Sequence, residues 1–358
     1  MLKKFLIILL SLFILCGCSS KETKEVITFT SWGSLTEVKV IKKIISDFEL
    51  ENPDIKVKFV HIPQNYFQKI HLLFASNTAP DVLFINNLYL PIYANKLLDL
   101  SEKIEKNVFF DQAILGLSFE GRLLAAPRDV SNLVLYINKE IVKESSKDWN
   151  LETLLAVAEN VTQKNVYGIS FEPEAYYLLP YLAYFGEELT ADFIPEKSKG
   201  FLLYTSMRDY YKIAPTKSQV GSLTLAQMFL EQKVVIYLSG RWMYPKISEK
   251  ADFSWEVESF PLGKMPLPCD ASGWAISKDT KHLDSALKFI KYLSSAKSSE
   301  YFTETGLIVP AQKEIAQLLN NNEHNEKIFL EVVQNSKNTK ATKDYKKLVD
   351  KVNLRIME

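Results

Sequence analysis

Residues that build metal centres are scarce in this sequence. It contains four histidines and three cysteines in 358 residues. A structural zinc site needs several Cys or His ligands close together, and the histidines show no such spacing. They lie at positions His61, His71, His282 and His324. We therefore predict no metal site.

Motifs of the common enzyme and nucleotide-binding classes are also absent. The sequence has no G-x-S-x-G, no G-x-x-x-x-G-K-[ST], no G-x-G-x-x-G and no H-E-x-x-H. Carboxylates are plentiful, but no pair is marked as catalytic, and Asp129 beside Arg128 predicts an ion pair. We expect no cofactor and no enzymatic activity. The alternative is a surface glycosidase, which needs two carboxyl groups ~5–9.5 Å apart across a sugar and which a turnover assay on oligosaccharides would reveal.

An excess of charge of either sign is missing as well. The chain has 43 basic and 43 acidic residues. Nucleic-acid binding proteins present a basic face, and nothing here favours one, so no nucleic-acid partner is predicted. The apolar share of 47% is enough for sizeable cores.

The N-terminus has the pattern of a secretory signal. Lys3 and Lys4 precede an apolar run from Phe5 to Cys16, which is shorter than the ~20 residues that span a membrane and suits a signal peptide. The run ends in Leu-Cys-Gly-Cys, which resembles the lipobox of bacterial lipoproteins. The resemblance implies a signal peptide over 1–17, a lipid on Cys18 and a tether over 18–25. A plain signal peptide is the alternative.

The mature chain would then have no pair of cysteines able to form an intramolecular disulfide. Cys16 leaves with the signal peptide and Cys18 carries the lipid, so Cys269 stands alone and fold stability must come from packing. The mature chain has 358 − 17 = 341 residues. That length predicts about two domains.

The first part of the mature chain alternates between strand and helix patterns. The predicted strands are Val26–Trp32, Ile55–Val60 and Val82–Ile85, and the helices between them are Glu37–Leu50 and Tyr66–Ala75. This order predicts a parallel sheet with right-handed crossovers. Ligands bind beyond the carboxyl ends of such strands, where Trp32, Gly33 and Asn86 lie. Asp81 opens the third strand, so it reaches that edge only if its turn folds back.

A polar step between two apolar runs marks the middle of the chain. Within Gly121–Lys139, proline and a polar cluster from Arg128 to Asn132 separate two strand-like segments. This pattern suits a chain that leaves one sheet and enters another across a gap, where ligand sites gather. On local sequence alone, an ordinary strand–turn–strand with a solvated turn is the alternative.

Tryptophan recurs beside glycine later in the chain. A buried strand, Val234–Leu238, ends in Ser-Gly-Arg-Trp, which places Trp242 at a strand end. The stretch that follows a proline-rich connector, 261–268, contains Ser272, Gly273 and Trp274. Tryptophan with small and polar neighbours suits a neutral polyol, because aromatic faces cover the C–H face of a sugar ring.

Several segments together resemble one family. ITFTSWG, FELENPDIKVKFV, ASNTAPDVLF and APRDVSNLVLYINK occur in the order and spacing typical of extracellular solute-binding proteins of ABC importers, similar to the maltose-binding protein superfamily. The resemblance implies an α/β, two-lobed periplasmic-binding-protein-like fold, with a mixed sheet flanked by helices in each lobe. It implies a first lobe of 26–127 plus 268–308 and a second of 128–267 plus 309–358. Three hinge crossings are expected, near 127–132, 261–268 and 306–310.

The resemblance also implies a function. The chain would be a monomeric, lipid-anchored extracytoplasmic protein that captures a mono- or oligosaccharide between its lobes and passes it to the permease subunits of an ABC transporter. The implied ligand-binding residues are Trp32, Gly33, Asp81, Asn86, Arg128, Asn132, Trp242, Ser272, Gly273 and Trp274. Glycerol phosphate, a polyamine and ferric ion remain alternative ligands. The reason for including ferric ion is the two tyrosine pairs, Tyr176-Tyr177 and Tyr210-Tyr211.

Overall fold

A computed structural model of the chain describes residues 24–143, 149–319 and 323–358. The predicted signal peptide, the lipid attachment at Cys18 and most of the tether lie outside the described residues. Among the described residues, no helix has both the length and the apolar composition required to cross a lipid bilayer.

Short strands and helices alternate along the described chain. The strands are β1 (Glu25–Ser31), β2 (Ile55–His61), β3 (Val82–Asn86), β4 (Ser118–Phe119), β5 (Arg122–Leu123), β6 (Ala126–Asn132), β7 (Val134–Asn138), β8 (Tyr167–Ile169), β9 (Val234–Ser239), β10 (Trp255–Ser259), β11 (Pro268–Ile276), β12 (Val309–Pro310) and β13 (Lys337–Asn338). The helices are α1 (Leu35–Glu51), α2 (Tyr66–Ala75), α3 (Leu90–Tyr93), α4 (Asp111–Gly116), α5 (Leu151–Val161), α6 (Ala175–Phe185), α7 (Lys199–Asp209), α8 (Lys217–Val220), α9 (Leu225–Leu230), α10 (Tyr244–Lys250), α11 (Leu283–Leu293), α12 (Ala296–Thr303), α13 (Lys313–Ala316), α14 (Ile328–Gln334) and α15 (Tyr345–Met357).

The described residues form three sheets: β4 and β5 pair as a small two-stranded sheet, and the two larger sheets divide the molecule into two lobes. The larger sheet has the order β12-β6-β11-β3-β1-β2, with β13 paired to β11, and it forms the first lobe. The smaller sheet has the order β10-β7-β9-β8 and forms the second lobe. Parallel and antiparallel pairs occur in both sheets. The predicted α/β class and the mixed sheets are confirmed.

The first lobe begins as its sequence pattern predicts. Strand β1 pairs in parallel with β2 and with β3. Helix α1 starts after Ser34, whose side chain accepts a hydrogen bond from the Glu37 N–H while Glu37 caps the Ser34 N–H in return. Such a capping box satisfies two N–H groups that a helix start leaves without partners. The apolar stripe of α1, which includes Ile41, Ile44 and Phe48, is buried against the sheet.

The chain changes sheets later than the sequence predicts. Strand β6 pairs with β11 as far as Asn132, and β7 starts the smaller sheet at Val134. The boundary predicted between 127 and 128 therefore falls inside a strand of the first lobe, and Leu133 is the residue that links the sheets. The return passes through the connector 260–267 into β11.

The C-terminal part departs most from the expected organisation. The resemblance places residues 309–358 in the second lobe, and the sequence pattern predicts helix from Glu314 onward, but β12 pairs with β6 and β13 pairs with β11. Helix α14 packs against β10 of the second lobe and against β6 of the first, and α15 packs against α6. The chain thus passes between the lobes more often than the three predicted times.

Candidate functional site

The carboxyl ends of β1 and β3 bring polar and aromatic groups to one edge of the first lobe. Trp32 follows β1, is 44% exposed and rests on Phe84 with ring centroids 5.7 Å apart. Gly33 has φ +131°, a conformation that L side chains rarely adopt, so glycine shapes the loop that presents the indole. Asn86 ends β3, and its side chain accepts a hydrogen bond from the Tyr89 N–H at 3.1 Å. Trp32, Gly33 and Asn86 lie at the expected edge.

The Glu37 carboxylate holds the Trp32 loop in place. One oxygen accepts a hydrogen bond from the Ser34 N–H at 2.8 Å, and the other accepts one from Arg128 Nη2 at 2.7 Å. Arg128 is only 7% exposed, and its guanidinium lies 4.5 Å from the Phe302 ring centroid. The expectation that Arg128 contacts ligand is therefore corrected: it lies behind the loop and supports Glu37.

Trp274 belongs to the core of the first lobe. Its side chain is fully buried and packs edge-on against Phe29 and Phe84 at 5.5 and 5.9 Å. Strand β11 lies between β3 and β6 in the sheet, so the indole meets apolar side chains instead of solvent. The expected aromatic wall at Trp274 is wrong.

The two residues before Trp274 are also structural. Ser272 is buried and donates a hydrogen bond to the Asp129 carboxylate. A Cβ atom at Gly273 would lie 2.3 Å from the Ala126 carbonyl oxygen, at the point where the β6–β11 register shifts. Gly273 is therefore required by the close approach of two strands, and neither residue lies on an open surface.

Two further predicted residues lie away from the open edge. The Asp81 carboxylate accepts hydrogen bonds from the Thr28 N–H and hydroxyl at 2.7 Å each and from Thr280 at 2.5 Å. It ties β1 to the turn after β11 at the opposite end of the sheet, because its turn does not fold back. Asn132 is 2% exposed and donates a hydrogen bond to the Phe329 carbonyl at 3.3 Å. It therefore stabilises the segment in which the chain passes from one lobe to the other. Both expectations are corrected.

The second lobe presents an aromatic pair at the carboxyl end of β9. The Trp242 ring lies over Gly240, where a Cβ atom would be 1.9 Å from the ring. Tyr176, in the first turn of α6, lies 6.2 Å from Trp242 between ring centroids, with 41° between the planes. Both rings are partly exposed, so the expected position of Trp242 agrees with the structure.

Tyr176 is a functional candidate that the sequence assigned to core or to iron. Burial and the Asp270 carboxyl raise the pKa of its hydroxyl, and the Ser131 side chain of β6 opposes them. The group therefore stays a neutral phenol next to a strand of the other lobe. The sequence feature that could identify Tyr176 as a site residue is its position, because α6, which carries it, starts soon after the carboxyl end of β8. Within the described residues, no group of three or more His, Cys, Asp or Glu side chains is arranged to hold a metal ion.

Two carboxyl groups that lie near tyrosines have raised pKa values: Asp270, which acts on Tyr176, and Glu172, whose carbonyl oxygen bonds to Tyr204. Burial raises the pKa of Asp270 to about 6, although hydrogen bonds from Asn87 and Thr339 oppose it. Burial and then the neighbouring Glu174 raise the pKa of Glu172 to about 7. Glu172 follows β8, and Tyr204 donates a hydrogen bond to its carbonyl oxygen at 2.5 Å.

These shifts predict how stability depends on pH. A carboxyl whose pKa is higher in the folded state binds protons more tightly there, so stability falls as pH rises through that pKa. For Glu172 the window runs from the ordinary glutamate pKa of 4.5 to a pKa of about 7 in the folded protein. We expect Glu172→Gln to remove about 1–2 kcal/mol of the stability difference between pH 5 and pH 8, measured by urea unfolding. Equal pH dependence in variant and wild type would contradict the assignment.

A large groove runs between the lobes. It has a volume of about 1040 Å³ and is lined by Trp32, by residues of α2 and α3, and by Lys343, Lys346, Lys347 and Asp350 at and just before the start of α15. Helix α15 is tied to the second lobe, since the Ala175 N–H donates to Asn353 Oδ1 at 2.6 Å. The groove therefore has one wall on each lobe.

Comparison with known proteins decides the family. The family model of the bacterial extracellular solute-binding protein matches residues 43–329. The chain belongs to this family. A maltodextrin-binding protein of Bacillus subtilis is 25% identical, over 87% of this chain and 81% of its own. A galactooligosaccharide-binding protein of the same organism is 22% identical, over 83% and 76%.

Solved structures confirm the fold of this solute-binding protein. An ABC substrate-binding protein of Listeria monocytogenes in complex with cycloalternan superimposes with a TM-score of 0.84 at 24% identity, covering 93% of each chain. A maltose-bound T. maritima protein gives 0.77 at 20% identity, again covering 93% of each chain. The two-lobed fold expected from the resemblance is therefore confirmed. Membership of an extracellular family also makes the chain an extracytoplasmic solute-binding protein.

Proposed function

We propose that the protein captures a mono- or oligosaccharide between its lobes and delivers it to the permease of an ABC transporter. The observation that carries this proposal is the placement of partly exposed aromatic rings on both lobes, with Trp32 on the first and Trp242 beside Tyr176 on the second. The sugars named for the Bacillus subtilis relatives support the same ligand class.

The chemistry of these groups suits a sugar. Aromatic rings supply large apolar faces with little loss of side-chain entropy, and they match the C–H faces of pyranose rings. Hydroxyl and amide groups such as those of Ser131 and Asn86 can accept hydrogen bonds from sugar hydroxyls and donate hydrogen bonds to them. A site with such groups rejects ligands that leave them unpaired, because an unsatisfied buried polar group is costly.

Closure of the lobes is part of the proposal. A ligand that contacts both lobes favours the state in which they approach, by its difference in affinity for the open and closed states. A monomer that closes presents a new combined surface to the permease. Small-angle scattering should show a smaller radius of gyration with the ligand than without it.

A sugar panel screened by thermal shift, followed by calorimetry, tests the proposed site. We expect Trp32→Ala and Trp242→Ala each to weaken binding of the best ligand by about 1–3 kcal/mol, the range for burying a large side chain. Tyr210→Ala is the control, since Tyr210 is 77% exposed at the end of α7 and should bind as wild type. Unchanged affinity in both tryptophan variants would show that the sugar does not bind at these residues.

Anchoring through Cys18 is a separate prediction of the lipobox. Cys18→Ala should move the protein from the membrane fraction to the soluble fraction, or block cleavage after Gly17, because the thioether lipid has no attachment point. Mass spectrometry of the mature N-terminus measures this directly. A mature wild-type protein that starts at another residue without lipid would refute the anchor.

A further inference from the structure

The interlobe groove has walls of different chemistry. The first-lobe wall is aromatic: Phe67 and Tyr89 stack in parallel with centroids 3.6 Å apart and 6° between the planes, and Trp32 lies at the same groove. The second-lobe wall is the start of α15 and is lined by lysines. A volume of about 1040 Å³ is at the upper end of the range for small-molecule sites, which fits several linked sugar rings.

The charge of this groove is strongly unbalanced. Its lining contains four lysines and a single carboxylate, Asp350. Lys346 pairs with Asp350 at 2.5 Å, and Lys347 pairs with Asp344 at 2.8 Å. Lys343 and Lys69, the other two lysines, make no ion pair with any residue in the described ranges. The groove therefore keeps a positive potential in a chain whose total charge is zero.

The two walls face each other closely enough to act on one ligand. Tyr89 of the first-lobe wall and Lys343 and Lys346 of the second-lobe wall line the same groove. A sugar ring on the Phe67–Tyr89 stack would have its substituents next to lysine side chains. An ammonium group forms its strongest hydrogen bonds with carboxylate, sulfate or phosphate oxygens.

We propose that this groove selects acidic oligosaccharides, with the aromatic wall binding the sugar rings and Lys69 and Lys343, unpaired within the described residues, binding their anionic groups. This inference rests on the proposed sugar-binding function and narrows it to a charged ligand class. Neutral glycans use the same aromatic wall but gain nothing from the lysines.

A glycan array and calorimetry on the full-length protein in detergent test the inference. The array carries neutral, uronic-acid and sulfated oligosaccharides. The tightest ligand is then compared with its own neutral derivative, the methyl ester of a uronate or the desulfated form of a sulfate. We expect the acidic form to bind at least tenfold tighter, and its affinity to fall as NaCl rises from 50 to 300 mM, because salt screens exposed charges.

Charge-removing variants locate the effect. The double variant Lys69→Gln, Lys343→Gln should reduce affinity for the acidic ligand at least tenfold and leave the neutral derivative unaffected. The matched control is Lys288→Gln, Lys291→Gln, which removes the same charge from exposed positions of α11 and should bind as wild type.

The outcomes separate this inference from the function beneath it. Neutral glycans as the only ligands, or an acidic ligand whose affinity the double variant leaves unchanged, overturn the acidic-ligand inference alone. A protein that binds no glycan of any class overturns both. Uronate ligands without sulfated ones, or the reverse, identify which anionic group the lysines recognise.

Discussion

Trp274→Ala should lower the free energy of unfolding by about 3–5 kcal/mol, the range for removing a buried tryptophan. The indole is fully buried in a cluster with Phe29, Phe84 and Phe302, and its removal leaves a cavity that these neighbours cannot fill. Equilibrium unfolding in urea measures the change. A loss below about 1 kcal/mol would mean that the cluster collapses around the cavity.

The other tryptophans provide the contrast. Trp32→Ala should leave the midpoint of unfolding close to that of wild type, because the ring is 44% exposed, while ligand affinity falls. Trp274→Phe should restore most of the stability, since it keeps an aromatic ring in the core. A Trp274→Ala variant that is stable but does not bind ligand would return this residue to the binding site.

Glu37→Ala should lower the free energy of unfolding by about 3 kcal/mol, the lower end of the range for breaking a buried ion pair. The variant leaves the Arg128 guanidinium, 7% exposed, with only the Asp129 carboxylate, at 3.5 Å. It also frees the Ser34 N–H that fixes the Trp32 loop, so ligand affinity should fall about tenfold. Urea unfolding and calorimetry on one preparation measure both effects.

A double variant and a surface control make this prediction specific. In Glu37→Ala, Arg128→Met the buried cation is gone, so the loss should be smaller than the sum of the single losses by about 1 kcal/mol or more. Lys43→Ala removes an exposed lysine from the same helix and should leave both stability and binding unchanged. Additive losses in the double variant would show that Glu37 and Arg128 act independently.

The sequence predicted elements well wherever one strand or helix packs with its sequence neighbours. Helix α2 has the predicted bounds, and β1, β2 and β3 differ from their predictions by a residue or two. In these segments the apolar period, the caps and the turn residues favour the same structure. The position of Trp32 follows, because the carboxyl end of β1 can be read from the pattern.

Residues near β11 were mispredicted because their environment depends on distant segments. Trp32 and Trp274 both adjoin glycine, yet one borders a groove and the other lies in the core. The difference is the antiparallel insertion of β11 between β3 and β6, which covers Trp274 with Phe84, 190 positions earlier in the sequence. Similarly, the helical pattern after Glu314 gives no sign of β13, a two-residue strand that pairs with Pro268 and Cys269, where β11 has not yet begun to pair with β3.

Strand β13 makes the joint between the lobes a composite one. A single tether would let the lobes swivel freely, whereas several short connections side by side remove rotational degrees of freedom and leave one soft bending direction. Because β13 is fixed to the first sheet and α15 to α6, the six residues 339–344 between them form one of these connections. The length of this connection limits how far the start of α15 can move away from Trp32. The maximum width of the interlobe groove in the open state is therefore determined by residues near the C-terminus.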